Sequence, residues 1–412
     1  MALFLAGPLD VLATFAAAIF GAHFLLNYWY LAGRGFLADV EPVEPAEGWP
    51  ELAILVAARN EGAHIERAVG SLLTLDYPRL RVIAVNDRST DNTGTVLERL
   101  AAKDQRLTVQ TVTHLPLGWL GKTHALHGAA AASADAKWLL FTDADVEFKS
   151  DALRRAVVAA MAAQADHVTA YPEMRYKTPM EALFLAFFGL GLALQMPTWA
   201  VEWRRSRAYL GIGAFNLVSR RAFEQVAGFS HLKLAVDDDM RLGEALKAHG
   251  YRTRIVYGRG AMALEWQPDA LGYIRGLEKN AFASLEFSLG RAAAVLGGLA
   301  LIGIVPFVAV IFGGMLARAA GLVAIAATTG LVALGRRNSG IPALYSLGAP
   351  VAAGMLAFAL VASVAKTCRR GGIVWRDTFY SLAVLKEHVR ARRTWIAEAR
   401  RTSAQNHPNG LS

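Results

Sequence analysis

Acidic side chains stand in three short clusters along this sequence, and each cluster follows or precedes a stretch that can hold it at a sheet edge. Asp143 and Asp145 lie one residue apart after the apolar run Trp138-Leu139-Leu140-Phe141-Thr142. A continuous apolar run of that length reads as a buried parallel strand. Ligands of open α/β sheets bind just beyond the carboxyl ends of such strands. Two carboxylates this close repel unless positive charge lies between them. Mg²⁺ or Mn²⁺ suits hard oxygen ligands of this kind, although Asp is also a common turn residue. Asp87 ends a second strand-like run, within Asn86-Asp87-Arg88-Ser89-Thr90-Asp91. An acid there can accept hydrogen bonds from a ribose or a base, while Thr90, Asp91 and Asn92 suit the cap of the next helix. Asp237, Asp238 and Asp239 precede a helix expected over Met240 to His249. Acids favour a helix N-terminus, but three together exceed what a cap requires, and one can serve as a general base near an acceptor hydroxyl.

Gly118-Trp119-Leu120-Gly121-Lys122 opens another expected helix. Its glycines allow close backbone approach, the helix start offers free N–H groups, and Lys122 adds charge, as phosphate binding requires. It is not a Walker loop, because the first glycine is too near the Gly-Lys pair. His124 and His127 share a helix face, but no further ligands of zinc-like spacing lie nearby.

The elements that must position these groups alternate regularly. Strands are expected over Leu52 to Ala57, Arg81 to Val85, Leu107 to Thr113 and Lys137 to Thr142, with helices over Ala63 to Leu73, Asn92 to Lys103 and Gly121 to Ala132. Strict alternation argues for a parallel α/β sheet with crossover helices.

This sheet is set into an apolar chain. The 412 residues are 54% hydrophobic with a net charge of +9, and a mean hydropathy of +0.31 points to a membrane protein carrying a soluble domain. Leu9 to Gly33 is a membrane-length apolar stretch followed by Arg34, with no Lys or Arg before it. That arrangement favours an uncleaved anchor with its N-terminus outside and the next domain in the cytoplasm. Residues 35–50, rich in proline towards the end, read as a linker. Ala292 to Ala317, Ala319 to Gly335 and Ile341 to Ala365 are uncharged and read as further spans within 289–367, although the middle one is short. Their lack of internal charge argues against an ion-coupled transporter. Phe184 to Val201 is apolar too; a full crossing there would part Asp145 from Asp239, so an interfacial or buried segment is expected. The basic stretch Arg369 to Arg401, in the tail 368–412, suits an anionic leaflet better than nucleic acid, because it follows hydrophobic spans. Three crossings after a cytoplasmic domain would put that tail outside, against the positive-inside rule, so either one segment is re-entrant or the rule fails. Cys368 is the only cysteine, which precludes an intrachain disulfide.

Taken together, Ala57-Ala58-Arg59-Asn60-Glu61, Asn86-Asp87-Arg88-Ser89-Thr90-Asp91, Thr142-Asp143-Ala144-Asp145 and Asp238-Asp239 with Leu242 resemble, in order and spacing, glycosyltransferase family 2, the inverting GT-A enzymes. The resemblance covers about Glu51 to Ser288. Gly118 to Lys122, Lys279 to Phe282 and Gly371 to Arg376 look like a membrane-bound bacterial subgroup, similar to ceramide glucosyltransferases and to hopanoid- or carotenoid-associated enzymes. The resemblance implies an α/β GT-A fold (Rossmann-like, mostly parallel sheet) over 51–288, between transmembrane segments, in a bacterial inner membrane. It implies a donor pocket lined by Ala57, Arg59, Glu61 and Asp87. Lys122, Asp143 and Lys279 would also contact the nucleotide-sugar, favoured as UDP-glucose or UDP-N-acetylglucosamine. Asp145 and Asp143 would hold Mn²⁺ or Mg²⁺, Asp239 would be the catalytic base, and Asp238 stands beside it where the family has Glu. Gly213 to Asn216 would lie by a lipid acceptor. The chain departs from processive synthases in lacking Gln-x-x-Arg-Trp; Arg275 to Asn280 stands in that region. The alternatives are a polyprenyl-phosphate sugar synthase, which needs no such base, and a non-catalytic membrane protein binding sugar nucleotides.

Overall fold

The structure, a computed structural model, describes residues 7–32, 34–266 and 269–406. The strands in chain order are β1 (Leu52–Ala58), β2 (Leu80–Asp87), β3 (Leu107–Val112), β4 (Trp138–Thr142), β5 (Val146–Phe148), β6 (His167–Tyr171), β7 (Glu173–Met174), β8 (Asn216–Ser219), β9 (Thr253–Tyr257) and β10 (Met262–Leu264). Seven of them form one sheet in the order β3-β2-β1-β4-β8-β6-β9, and β5, β10 and β7 form a small second sheet. β1 lies inside the sheet and is apolar throughout: Leu52, Ala53, Ile54 and Leu55 are buried, and Leu52 pairs in parallel with Leu80 on one side and Trp138 on the other. β2 and β3 continue the parallel run. β8 runs antiparallel between β4 and β6, and β9 returns to parallel beside β6. The sheet is therefore mostly parallel, as the alternation in the sequence predicts.

The chain divides into two compact units, residues 35–174, 200–265 and 374–412 forming the sheet unit and residues 1–34, 175–199 and 266–373 the other. In the sheet unit a continuous core joins Leu55, Leu126, Phe141, Phe229 and Leu246. These residues come from β1 and β4, the loop at Phe229, and the helices Gly121–Ala131 and Asp238–Ala248. Ile396 and Ala399 of the last helix, Leu382–Asn406, belong to the same core. The stretch expected as a basic leaflet-binding tail is thus folded: a hairpin (Gly372–Trp375 with Thr378–Ser381) leads into that helix. Its Arg392 is only 4% exposed and pairs with Glu244 at 2.9 Å.

The second unit is helical. Pro8–Asp39, Met315–Ser339 and Ala343–Arg370 are long and apolar enough to cross a membrane, and Leu289–Gly303 with Val305–Phe312, bent by 41°, makes a fourth if counted as one span. The helices Pro8–Ala32 and Met315–Ser339 run parallel. Ala13 packs with Ala317 and Ala320, and Phe20 with Ala324 and Ala327. Phe24 lies over Gly330, where a Cβ would be 2.5 Å from its ring. Arg337 then reaches the main-chain oxygen of Leu31 at 3.3 Å. Small residues allow this close approach. The apolar stretch from Phe184 lies mainly in the helix Pro179–Gln195. Phe184 is fully buried there, its ring 5.1 Å from that of Tyr273.

Candidate active site

The acid clusters converge at the carboxyl edge of the large sheet. β4 delivers Asp143, whose N–H donates to the oxygen of Gly213 at 3.0 Å. The N–H of Gly213 donates in turn to Oδ2 of Asp239 at 2.6 Å, and the N–H of Met240 donates to Oδ1 at 2.8 Å. One residue, just before β8, therefore ties the acids after β4 to those of the helix Asp238–Ala248. The approach is close: a Cβ on Gly213 would lie 2.5 Å from Oδ2 of Asp143 and displace that carboxylate, and one on Gly211 would lie 1.9 Å from the main-chain oxygen of Asp239, where only glycine fits.

Lys122, in the first turn of Gly121–Ala131, supplies the positive charge. Its Nζ lies 2.7 Å from Oδ1 of Asp143 and 3.4 Å from Oδ1 of Asp238. Burial alone would lower the ammonium pKa, but Asp143, Asp238 and Asp239 together raise it. The charge remains unbalanced towards negative. Burial first, then Asp143 and Glu61, pushes Asp145 up to about 7. Burial likewise pushes Asp238 up to about 7, against the pull of Lys122. Asp239 is raised for the same first reason.

The three consecutive acids have separate partners. Asp237 pairs with Arg241 at 2.8 Å. The buried Arg241 also bonds Glu244 at 3.0 Å and the Tyr209 hydroxyl at 2.8 Å. This network, extended by Arg392, fastens the helix to the rest of the unit. Asp238 faces Lys122. Asp239 accepts from the main-chain N–H groups of Gly213 and Met240, and its two oxygens keep lone pairs for a further donor.

The other sequence-derived candidates line the adjacent strand ends. Asp87, 3% exposed, closes β2 and is gripped by its neighbour Arg88, Oδ1 at 2.7 Å from Nε and Oδ2 at 3.0 Å from Nη2. Arg88 adopts φ +54. Ala57 sits on β1, half-buried against the core. Arg59 follows β1; its side chain is 10% exposed and pairs with Asp377 at 3.0 Å. Its Nε and Nη1 are buried with no hydrogen-bond partner. Glu61 accepts from Arg376 at 3.2 Å. Arg376, Asp377 and Tyr380 come from the C-terminal hairpin and are site neighbours that sequence reasoning missed; the signal for them was the stretch Gly371 to Arg376, which the family resemblance marks without giving it a role. His124 and His127 pack on Trp119, with ring centroids at 5.6 and 5.1 Å. Lys279 falls in the helix Ala270–Ser284, but its side chain lies outside the described residues.

The donor set suits a divalent cation held jointly with a diphosphate. Among the described residues no group of three or more His, Cys, Asp or Glu could hold a metal ion. Mg²⁺ typically binds through one or two carboxylates plus substrate phosphates rather than in a protein cage. Asp143 already has Lys122 as a partner. Asp145, raised by burial and then by Asp143 and Glu61, is an acid that a cation would relieve.

Residues 50–276 match a family model described as glycosyltransferase like family 2. The chain is 29% identical over 212 residues to beta-monoglucosyldiacylglycerol synthase of Synechocystis, covering 50% of this chain and 42% of that protein. It is 27% identical over 143 residues to 4,4'-diaponeurosporenoate glycosyltransferase of Staphylococcus haemolyticus, covering 34% and 36%. The match thus spans about two fifths of these relatives' length. Among solved structures, a mannosyltransferase of Pyrobaculum calidifontis, in complex with GDP-Man and Mn2+, aligns with a TM-score of 0.54 at 21% identity, covering 87% of this chain and 99% of that one. That likeness shows the GT-A fold.

Proposed function

The chain belongs to glycosyltransferase family 2, and from that premise we propose that it moves a sugar from a nucleotide-sugar to the hydroxyl of a lipid at the membrane surface, with inversion. The observation that carries this reading is Asp239: a buried carboxylate of raised pKa, fixed by the N–H groups of Gly213 and Met240, beside the charged cluster of Asp143 and Lys122. Asp239 takes the proton of the acceptor hydroxyl. That oxygen attacks the anomeric carbon as the bond from this carbon to the diphosphate breaks. Lys122 faces the departing charge, and Asp87 with the Arg59–Glu61 loop holds the nucleoside. Asp145, with Asp143, would hold Mn²⁺ or Mg²⁺, which when bound supplies Lewis-acid stabilisation of the leaving diphosphate. The names of the relatives, a synthase of beta-monoglucosyldiacylglycerol and a glycosyltransferase of 4,4'-diaponeurosporenoate, together with the apolar helices, support a lipid acceptor. UDP-glucose and UDP-N-acetylglucosamine are the donors to try first.

The sheet unit is built from three separate stretches of chain, so all three lie on one side of a bilayer. The chain must then cross an even number of times between residues 266 and 373. Pro8–Ala32 runs parallel to Met315–Ser339, so Arg336 and Arg337 lie at the same end of this bundle as Arg34. The bent pair from Leu289 to Phe312 then crosses once, and Ala343–Arg370 re-enters without crossing. Thr329 bonds Ser346 at 2.7 Å, and a Cβ on Gly303 would lie 2.4 Å from that of Ala353, which supports a start for this helix deep in the bundle. Arg34, Arg336, Arg337, Arg369 and Arg370 then lie on the cytoplasmic side, as the positive-inside rule requires. Single cysteines introduced at Ser339 and Gly314 in a Cys368→Ser background should label from the cytoplasm and from outside, respectively; the reverse pattern would sink this topology.

The function is tested by incubating the purified protein in native lipid extract with radiolabelled UDP- and GDP-sugars and Mn²⁺ or Mg²⁺. Label should enter the organic phase from one donor. Transfer only to water-soluble acceptors would overturn the lipid assignment.

A further inference from the structure

The C-terminal hairpin carries contacts that anchoring a helix does not require. Its two-residue turn, Arg376 and Asp377, takes φ +43 and +70. Asn and Gly satisfy such a turn at least cost; this chain places two charged residues there. Arg376 donates through Nη1 to the main-chain oxygen of Arg59 and through Nη2 to Oε1 of Glu61, 3.2 Å away. Asp377 accepts from Nη2 of Arg59 at 3.0 Å. The Tyr380 hydroxyl donates to the main-chain oxygen of Trp119 at 2.8 Å. One short turn and the strand after it thus grip both the loop after β1 and the Gly118–Lys122 loop. Beneath them Arg59, 10% exposed, keeps two buried N–H donors without a partner. An unsatisfied buried guanidinium is costly unless a ligand completes it.

We propose that the turn Arg376–Asp377 is part of the donor site, with Arg376 the positioning residue that fixes the Arg59–Glu61 loop to receive the nucleoside diphosphate of the sugar donor. This rests on the glycosyltransferase reading above. Two charge-assisted bonds from one guanidinium hold Glu61 and the Arg59 carbonyl in a single arrangement, so the Arg59 donors face the ligand without ordering at the moment of binding. Asp377, 84% exposed, contributes little by itself because solvent screens its pair.

The test uses the full chain in detergent micelles, with UDP and GDP titrated by calorimetry and donor KM and kcat measured in lipid extract. Arg376→Ala should weaken binding of the preferred nucleotide and raise donor KM about tenfold, with kcat within about threefold of the parent. Arg376→Lys, which can keep one of the two bonds, should fall between. Ile396→Val, in the core under the same C-terminal helix, should lower Tm and leave nucleotide binding unchanged. Unchanged nucleotide affinity in Arg376→Ala overturns the proposal, as does an equal loss in Ile396→Val, which would make the hairpin an anchor only. A parent protein that binds neither nucleotide, nor any sugar conjugate of them, overturns the donor reading itself, which is a separate result.

Discussion

Replacing Gly211 with alanine tests the geometry of the site most sharply. The added methyl would lie 1.9 Å from the main-chain oxygen of Asp239 and 2.6 Å from its carbonyl carbon. Carbon and oxygen ordinarily approach no closer than about 3.3 Å, so a gap of roughly 1.4 Å must open. The obstructing atoms are main chain in the first turn of Asp238–Ala248, so no side-chain rotation relieves the contact. Asp239 must move, while its carboxylate is tethered to the Gly213 N–H at 2.6 Å. A misplacement of about 1 Å costs on the order of 10²-fold in rate, or about 2.7 kcal/mol of transition-state stabilisation. Overpacking adds about 1–3 kcal/mol of destabilisation. The strand ends that carry Arg59 and Asp87 are not in contact with this methyl, so nucleotide binding should survive. The assay is kcat for sugar transfer beside calorimetric binding of the nucleotide, with Gly189→Ala as control, since a Cβ there meets nothing within 4 Å. A folded Gly211→Ala protein with kcat within about threefold of the parent would refute the placement of Asp239.

Other predictions follow from the charges. Because burial raises Asp239 and the base must be ionised, kcat/KM should rise with pH through a value above the ordinary Asp value of about 3.9 and level off beyond it; a pH profile with its acid limb at or below that value would count against this base. Lys122→Met removes the cation that pulls Asp238 and Asp239 down, so the acid limb should move up in pH and kcat should fall about 10-fold or more, both read from the same profile. Arg241→Ala strips Asp237 and Glu244 of a buried partner and should cost about 3–5 kcal/mol of stability, seen as a lowered Tm, with UDP affinity unchanged at a temperature where the protein is folded.

The sheet was legible because its signal is local. The apolar runs of β1, β2 and β4 and the helices between the strands alternate in sequence, and burial on both faces demands that pattern. The acids after β2 and β4 were legible for the same reason, since strand ends fix where their side chains emerge. Which of Asp237, Asp238 and Asp239 is free to act was not: Asp237 takes Arg241 one turn along its own helix, but Lys122 and Gly213, which meet Asp238 and Asp239, are brought in by tertiary packing. The C-terminal basic segment misled for a different reason. Arg392 reads as a surface charge, yet Glu244, 148 residues away in sequence, holds it inside the unit. The hairpin contacts of Arg376 with Arg59 and Glu61 span 317 and 315 residues, a separation that no periodicity records. The re-entrant reading of Ala343–Arg370 likewise depends on which helices run parallel, and composition does not carry that.

The central claim, that Asp239 is the base for attack by a lipid hydroxyl, is tested most directly by Asp239→Asn in the lipid-extract assay with nucleotide binding measured alongside. The substitution keeps the size of the side chain and one acceptor oxygen for the Gly213 or Met240 N–H. The account predicts transfer reduced on the order of 10²-fold or more with nucleotide affinity retained within a few-fold. Transfer at the parental rate by a variant that binds nucleotide normally would contradict it and would point instead to an acceptor, such as a polyprenyl phosphate, that needs no base.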